Sequence, residues 1–321
     1  MLTKNFKSDK NSLINTTYQE SRLNMTGWII YNGTLNVPKI KELVDTLVEE
    51  GKKLNIKLEA VKNTEIIPMY SNEGKAELVY LKKLEEPEFI IFWDKDVLLA
   101  SHLEKMGYKV FNSSKAIKYC DHKGLMHLVL SNNNIKMPRT ILSPMIFDYS
   151  LNSEDYLIKC YETLGESVII KESMGSFGMQ VYLINNREEF INKVTELNKN
   201  KVDFIIQENI KSSFGRDIRV NIIGNKVIGA MLRESSSDFR ANISQGGTGR
   251  LVELTKSQEE IALKAHKVLG LDFSGVDLLF GQNDEPLLCE VNSNLNFLSF
   301  ENIWGKSFGE KILEYVLGEI L

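Results

Sequence analysis

The fold class predicted by the sequence is α/β with more than one core, on three observations. The chain has 321 residues, beyond the ~250–300 at which a single core stops growing. Strand-like and helix-like stretches alternate over about 27–120, the rhythm of a small parallel α/β layer. From about 215 the pattern turns β-rich around one long polar loop.

The elements follow in order. GWIIYNG (27–33) is a short apolar strand closed by Asn32-Gly33, and a helix starts near Pro38, where PKIKELVDTLVEEGKKL carries apolar residues at helical spacing. IKLEAVKN (56–63), FIIFWD (89–94) and YKVFN (108–112) read as strands, with a helix through LLASHLEKMG (98–107). SSKAIKYCDHKGLMHLVLSNN predicts a helix, a break and a second helix, followed by the strand-like IKMPRTI (135–141). SEDYLIKCYETLG (153–165) is a helix that Ser153 can cap. SVIIKESMGSFGMQVYLI (167–184) has the pattern of a hairpin with a glycine-containing loop, NREEFINKVTELNKN is helical, and FIIQENI (204–210) is a strand. RDIRVNIIGNKVIGAMLRE is two strands about Gly224-Asn225, and SSSDFRANISQGGTGR (235–250) is a polar loop of a length that is often functional. KSQEEIALKAHKVLG is an amphipathic helix ending at Gly270, followed by VDLLFGQNDEPLLCEVNSN (276–294) and a last helix around GEKILEYVLGEIL.

Hydrophobic residues make up 43% of the chain, enough for a substantial core, and the formal net charge is -4. No overall basic field recruits nucleic acid or an anionic membrane, so an anionic ligand must be met by local charge. Cys120, Cys160 and Cys289 lie far apart and lack zinc or redox spacing, which reads as reduced, buried thiols and a cytoplasmic protein. The Asn/Ser/Lys/Thr-rich stretch 1–26 has no continuous apolar segment; it is read as a mobile arm, neither signal peptide nor membrane anchor.

One acidic residue interrupts each apolar strand of 276–294. With Asn283-Asp284 as a two-residue turn, antiparallel pairing sets Asp277 directly opposite Glu290. Like charges so placed repel, and a cation between them removes the repulsion. Asn292, two residues after Glu290, adds a neutral amide oxygen on the same face. Two carboxylates and an amide, with no His or Cys, are hard donors suited to Mg2+ or Mn2+; two solvated carboxylates on an open sheet face are the alternative. Apolar Val276, Leu278, Leu288, Cys289 and Val291 around them favour a cleft.

Phosphates beside such an ion need cationic partners. Lys171 interrupts the apolar run VIIK before ESMGSFGM, where Gly175 and Gly178 let backbone approach a phosphate; a plain hairpin turn reads equally well. The loop matches neither the P-loop nor the dinucleotide fingerprint. Lys123 in CDHKG stands near a helix start and by itself reads as a surface lysine. Gln207 and Glu208 end a strand where an adenine amino group could be read. Arg219, Arg233 and Arg240, the last beside Asn242, precede the acidic hairpin and suit carboxylates or phosphates, or ordinary surface ion pairs. His102, His122, His127 and His266 show no ligand spacing and are read as structural or solvated, and no Ser/His/Asp or Cys/His arrangement is evident.

The succession DHK, VIIKESMGSFG, IIQENI, GRDIRVNIIGNKVIGAMLR, DFRAN, GG, GVDLLF and CEVNSN resembles the ATP-grasp superfamily, most closely its RimK-like α-L-glutamate and amino-acid ligases. The likeness runs from about 113 to 320. It implies an ATP-grasp fold: a small parallel α/β domain at 27–112, a central subdomain at 113–202 and a C-terminal subdomain at 203–321. The resemblance further implies that Lys123 and Lys171 contact the ATP phosphates, that the loop with Gly175, Ser176 and Gly178 closes over them, and that Gln207, Glu208 and Asn209 lie at the adenine. Asp217 would stand near the ribose, Arg240 and Asn242 at the nucleotide or acceptor, and Arg233 toward an acyl phosphate, with Arg233, Arg240 and Lys171 as the catalytic set. Asp277, Glu290 and Asn292 match the metal triad, for two Mg2+ or Mn2+ ions. The implied activity is ATP-dependent joining of a carboxylate to an amine through an acyl phosphate, adding an amino acid such as glutamate to a small-molecule, peptide or protein acceptor. The competing readings are a ligase of ribosomal peptides or carrier proteins and a nucleotide-binding regulator without turnover. A dimer or tetramer is also implied. Many relatives follow the metal asparagine with Ser-Pro-Gly, whereas this chain has Ser293-Asn294-Leu295-Asn296-Phe297.

Overall fold

Alternating buried positions and helix-stop signals organise the chain of this computed structural model, which describes residues 25–148, 153–165, 167–175, 178–243 and 246–321. Most of the expected arm, 1–24, lies outside the described residues. Its last two residues belong to the fold, because Met25 is 6% exposed and Thr26 opens the first strand.

The described residues cluster into two units. One takes the chain up to Ser114 together with Asn296–Leu298 and Lys306–Leu321. In it β1 (Thr26–Tyr31) leads into α1 (Pro38–Lys53), which starts on the proline and buries Leu43, Val44 and Leu47. β2 (Lys57–Lys62), β3 (Ile66–Tyr70), β4 (Ala76–Tyr80), β5 (Phe89–Trp93), α2 (Val97–Lys105) and β6 (Val110–Phe111) follow. The parallel sheet has the order β2-β1-β5-β6. Its central strands are buried on both faces, as expected for a covered parallel sheet. The β3–β4 hairpin is an addition to the sequence reading. Its alternation is broken by Pro68 and its outer face is exposed, so it gives no apolar period; inward, Tyr80 meets Trp28 edge to face at 6.2 Å and Tyr70 meets His102 at 5.0 Å. The C-terminal helix Phe308–Ile320, expected within 203–321, packs on α1 and belongs to this unit.

The second unit, Lys115–Leu295 with Ser299–Gly305, holds two sheets. α3 (Ser114–Asp121) and α4 (Lys123–Leu130) are separated at His122, whose ring caps the amide of Leu125. β7 (Thr140–Leu142), α5 (Glu154–Leu164), β8 (Val168–Glu172), β9 (Val181–Ile184), α6 (Arg187–Lys199) and β10 (Phe204–Glu208) come next. Ser153 does cap α5, accepting from the amide of Tyr156. β7 begins later than the strand-like 135–141 because Pro138 cannot donate to a ladder. The four strands form an antiparallel sheet, β7-β10-β8-β9. Val168, Ile170, Phe204 and Ile206 pack one face onto α5 and α6, so period two puts Lys171 and Gln207 together on the other face.

β11 (Arg216–Ile223), β12 (Lys226–Glu234), β13 (Thr248–Val252), α7 (Lys256–Leu269), β14 (Phe273–Phe280), β15 (Pro286–Asn292) and α8 (Leu298–Trp304) complete the order. β13 lies partly within the stretch expected as loop. The sheet β13-β12-β11-β14-β15 is antiparallel. One face carries Ile218, Val220, Leu232, Val276, Leu288 and Val291 into a core completed by Ala262, Ala265 and Leu269 of α7.

The two-residue turn at Asn283-Asp284 is not what connects β14 and β15. Phe280 pairs with Pro286, so the loop is 281–285, closed by the amide of Gly281 donating to the carbonyl of Glu285 at 2.7 Å. A bulge then shifts the register between Asp277 and Leu278, and Asp277 faces Glu290 after all. The longer loop and the bulge offset one another. Because Leu288 and Val291 both enter the core, Cys289 and Glu290 both turn away from it.

Candidate active site

The face of the five-stranded sheet opposite α7 is polar by strand alternation. β11 reads Asp217, Arg219 and Asn221 on that face, with Ile218, Val220 and Ile222 on the core side. Register brings Asp217 opposite Arg233, Arg219 opposite Asp277, Asp277 opposite Glu290, and Gly275 opposite Asn292. Asp277, 3% exposed, is bound by Arg219 through Nε and, at 2.6 Å, Nη2, and Nη2 of Arg233 lies 3.0 Å from its Oδ2. Arg233 also donates through Nε and Nη2 to the two Asp217 oxygens, at 2.6 Å each. The like-charge problem posed by Asp277 and Glu290 is therefore relieved by guanidinium groups within the fold, and a metal ion is not required to explain it. Arg219 lies outside the site set that the resemblance implies; the alternation D-I-R-V-N is the sequence signal that places it on this face.

Electrostatics separate the two aspartates. Burial pushes the Asp277 carboxyl up, but Arg219 and Arg233 outweigh it and hold the group below the ordinary carboxylate range. At Asp217 burial is the larger effect and raises the carboxyl against the pull of Arg233. Burial opposes the charge on Arg233, yet Asp277 and Asp217 keep it protonated. Glu290 is joined by the amide of Asn292, whose Nδ2 donates to Oε1 at 3.2 Å and to the carbonyl of Gly275 at 3.4 Å.

The bulge turns Cys289 onto the same face, where Nζ of Lys171 is 3.5 Å from its Sγ. Burial raises that thiol to about 11 despite the lysine, so it is a neutral neighbour rather than a nucleophile. Lys171 itself is 6% exposed, and Lys123 is 7% exposed with Nζ 3.3 Å from the carbonyl of Gly175. The surface reading of Lys123 is thereby corrected: it opens α4 from a buried position, its amide bonded to the carbonyl of Ser173.

His127, structural or solvated by its spacing in the sequence, organises this region. Its Nδ1 donates to the Lys123 carbonyl at 2.9 Å, which leaves Nε2 to accept from Gln207 Nε2 at 3.1 Å. Burial, then the charges of Lys171 and Lys123, lower its basicity against that backbone bond and keep the ring neutral. Gln207, 2% exposed, donates also to Oγ1 of Thr140 at 3.0 Å. No spacing in the sequence links His127 to Gln207. Glu208 is engaged elsewhere: Nε and the amide of Arg139 each donate to its carboxylate at 2.8 Å. Asn209 donates to Ser167 at 2.9 Å.

The two expected loops meet. Nη1 of Arg240 donates to the carbonyl of Gly178, and its Nε and Nη2 are held by Asp238 at 3.0 and 2.7 Å. Gly178 has φ +71°, and a Cβ there would lie 3.4 Å from Arg240 Cδ and 3.7 Å from Asn242 Nδ2. Ser176 lies outside the described residues. The base of the long loop is pinned at Gly215 (φ +66°), which accepts from the amide of Ser235 at 2.7 Å and donates to the carbonyl of Phe239 at 2.9 Å. Among the described residues no helix is long and apolar enough to cross a membrane.

Residues 120–316 match the RimK-like ATP-grasp domain family. Uncharacterized protein MG012 of Mycoplasma genitalium is 33% identical over 273 residues, covering 83% of this chain and 91% of that protein. Human N-acetylaspartylglutamate synthase A is 32% identical over 227 residues, 70% of this chain but 56% of its own length. In structure, the D-alanyl-alanine synthetase A of Vibrio cholerae superposes with a TM-score of 0.71 at 14% identity over 93% of this chain and 99% of that one, a likeness of fold. With both sheets, the basic and acidic face and the family match in agreement, the chain belongs to the RimK-like ATP-grasp family and is an ATP-dependent carboxylate–amine ligase.

Proposed function

We propose that this ligase activates its carboxylate substrate as an acyl phosphate at the face bearing Asp277, Glu290 and Asn292, and transfers the acyl group to the amino group of an amino acid such as glutamate. The observation that carries the reading is the register that sets Asp277 opposite Glu290 with Asn292 adjoining, on the face that also holds Arg219 and Arg233. Support for glutamate is the name of the human relative, a synthase of an N-acetylaspartyl glutamate.

Among the described residues no group of three or more His, Cys, Asp or Glu side chains could hold a metal ion. Two carboxylates with one carboxamide nevertheless fit Mg2+, which takes few protein oxygens and completes its shell with water and phosphate. Asp277, Glu290 and Asn292 would hold it, the Asn292 amide turning its oxygen inward. When bound, the ion supplies charge neutralisation to the transferring phosphoryl group.

The residues' own work is positioning and charge. Lys123 and Lys171 stand where ATP phosphates would be met, and neutral His127 orients the amide of Gln207 toward adenine. Arg240 ties the Gly178 loop to the long polar loop that also carries Asn242, so that both loops would cover the nucleotide together. The substrate carboxylate attacks the γ-phosphorus and ADP leaves; the amine then attacks the acyl carbon and phosphate leaves. Arg233, kept protonated, stabilises the acyl phosphate, and no protein nucleophile takes part. Asp217 serves by fixing Arg233, in place of the ribose contact first expected. The reading includes a cytoplasmic homo-oligomer. ADP release measured over a panel of carboxylates and amines, followed by product mass, tests the function; ATP binding with no ADP release over the whole panel overturns it.

A further inference from the structure

The two ends of a carboxamide are alike in shape, so what Gln207 offers a ligand is decided by its neighbours. Two of them settle it. Nδ1 of His127 lies 2.9 Å from the carbonyl of Lys123, which can only accept, so the proton of the neutral ring is spent there and Nε2 is left as an acceptor. Oγ1 of Thr140 donates its one proton to the carbonyl of Pro138 at 2.9 Å and is likewise left to accept. Nε2 of Gln207 meets both, at 3.1 and 3.0 Å, which uses its two N–H bonds. Burial, with the charges of Lys171 and Lys123, opposes a second proton on His127 and so preserves the arrangement.

What remains of Gln207 is its oxygen. Oε1 takes no bond among the described residues, yet it is not one of the sealed, unpaired atoms of the interior, so it reaches accessible space. Lys171 stands on the same face of this sheet: it pairs with Ile205, two residues before Gln207, which sets the two side chains about 7 Å apart along the strand. A nucleotide with its phosphates at Lys171 can lay its base toward Gln207. A lone acceptor there complements the 6-amino group of adenine. It opposes the 6-oxo group of guanine or hypoxanthine, which would set two acceptors against each other.

We infer that His127 and Thr140 are positioning residues for base selectivity: by consuming both N–H bonds of Gln207 they hold its oxygen for the nucleotide, so that the site takes 6-amino purines and rejects 6-oxo purines. The inference rests on the ligase reading above and deepens it from a nucleotide to a class of base. Both residues act through Gln207 rather than on the ligand, and neither belongs to the site set that the resemblance implies.

Calorimetric titration of the protein with ADP and with IDP, whose bases differ at position 6 and the adjoining N1, gives a ratio of affinities. A merely structural defect would weaken both ligands alike and leave that ratio unchanged. Wild type is expected to bind ADP at least about tenfold more tightly than IDP. His127→Leu removes one acceptor and lets the amide turn over; it is expected to lower the ratio about tenfold, the equivalent of ~1.4 kcal/mol. His127→Gln, whose carboxamide can again accept, is expected to stay within about threefold of the wild-type ratio. Thr140→Val keeps the shape without the hydroxyl and is expected to shift the ratio in the same direction as His127→Leu. An unchanged ratio in His127→Leu, or equal binding of ADP and IDP by wild type, overturns the inference and leaves the two residues to packing. Should His127→Leu not fold, an unchanged ratio in Thr140→Val overturns it instead. A wild type that binds neither ADP nor ATP overturns the ligase reading itself, which is a different result.

Discussion

Asp277 and Glu290 face one another in the sheet, yet they are held so differently that their amide replacements should separate stability from activity. Asp277→Asn removes the charge that Arg219 meets at 2.6 Å and Arg233 at 3.0 Å, leaving two guanidinium groups beside a neutral amide. Removing one partner of a buried ion pair costs ~3–5 kcal/mol. At ~2–4 °C per kcal/mol for domains of a few hundred residues, the melting temperature should fall by roughly 6–20 °C. Glu290 is half-buried and bonded to Asn292, whose amide can still bond a glutamine oxygen. Glu290→Gln should therefore stay within about 0.5 kcal/mol of wild type. Its effect is on turnover, because it deletes one anionic ligand: several kcal/mol of charge stabilisation corresponds to ~100-fold or more in rate. The assays are differential scanning calorimetry and ADP release titrated with Mg2+. A Glu290→Gln enzyme whose Mg2+-dependent turnover matches wild type refutes the metal assignment, and an Asp277→Asn protein with unchanged melting temperature refutes the ion-pair account.

Three further outcomes are expected. Arg240→Ala, which unties Gly178 from the long loop, should raise KM for ATP about tenfold and cost about 1–2 kcal/mol of stability, since the pair with Asp238 is partly buried. Gly215→Ala should destabilise by at least ~2 kcal/mol in urea titration, because φ is +66° and a Cβ would lie 2.4 Å from the Ser235 carbonyl. His266 is lowered to about 4 chiefly by burial, its Nδ1 lying 2.8 Å from Oγ of Ser274. A depressed folded value means the contribution is complete above the unfolded pKa of ~6.5 and is lost as pH falls toward 4, by up to about 3 kcal/mol. The difference in urea stability between wild type and His266→Gln should shrink by that order over this window; a constant difference would show that the ring is not held neutral by the fold.

The sequence by itself carried the alternation of strands and helices, the capping of α5 by Ser153, and the identity of the residues on the polar face. Each of these is a local property: side-chain period two sorts Asp217, Arg219 and Asn221 from Ile218, Val220 and Ile222 without reference to any distant residue. Pairing of Asp277 with Glu290 was also legible, although for a partly mistaken reason, since turn arithmetic ignores the bulge that brings Cys289 round to Lys171. What tertiary structure alone decided is which charges answer which. Arg219 reaches Asp277 across a register pair 58 residues apart in the chain, Arg233 reaches it from one strand further away, and Gln207 finds His127 at a separation of 80. The β3–β4 hairpin and the packing of the C-terminal helix on α1 were likewise hidden, because both depend on surfaces made by other elements. Hydrogen bonds and ion pairs act over a few ångströms in space and carry no period along the chain, so their partners are fixed only when folding brings the strands together.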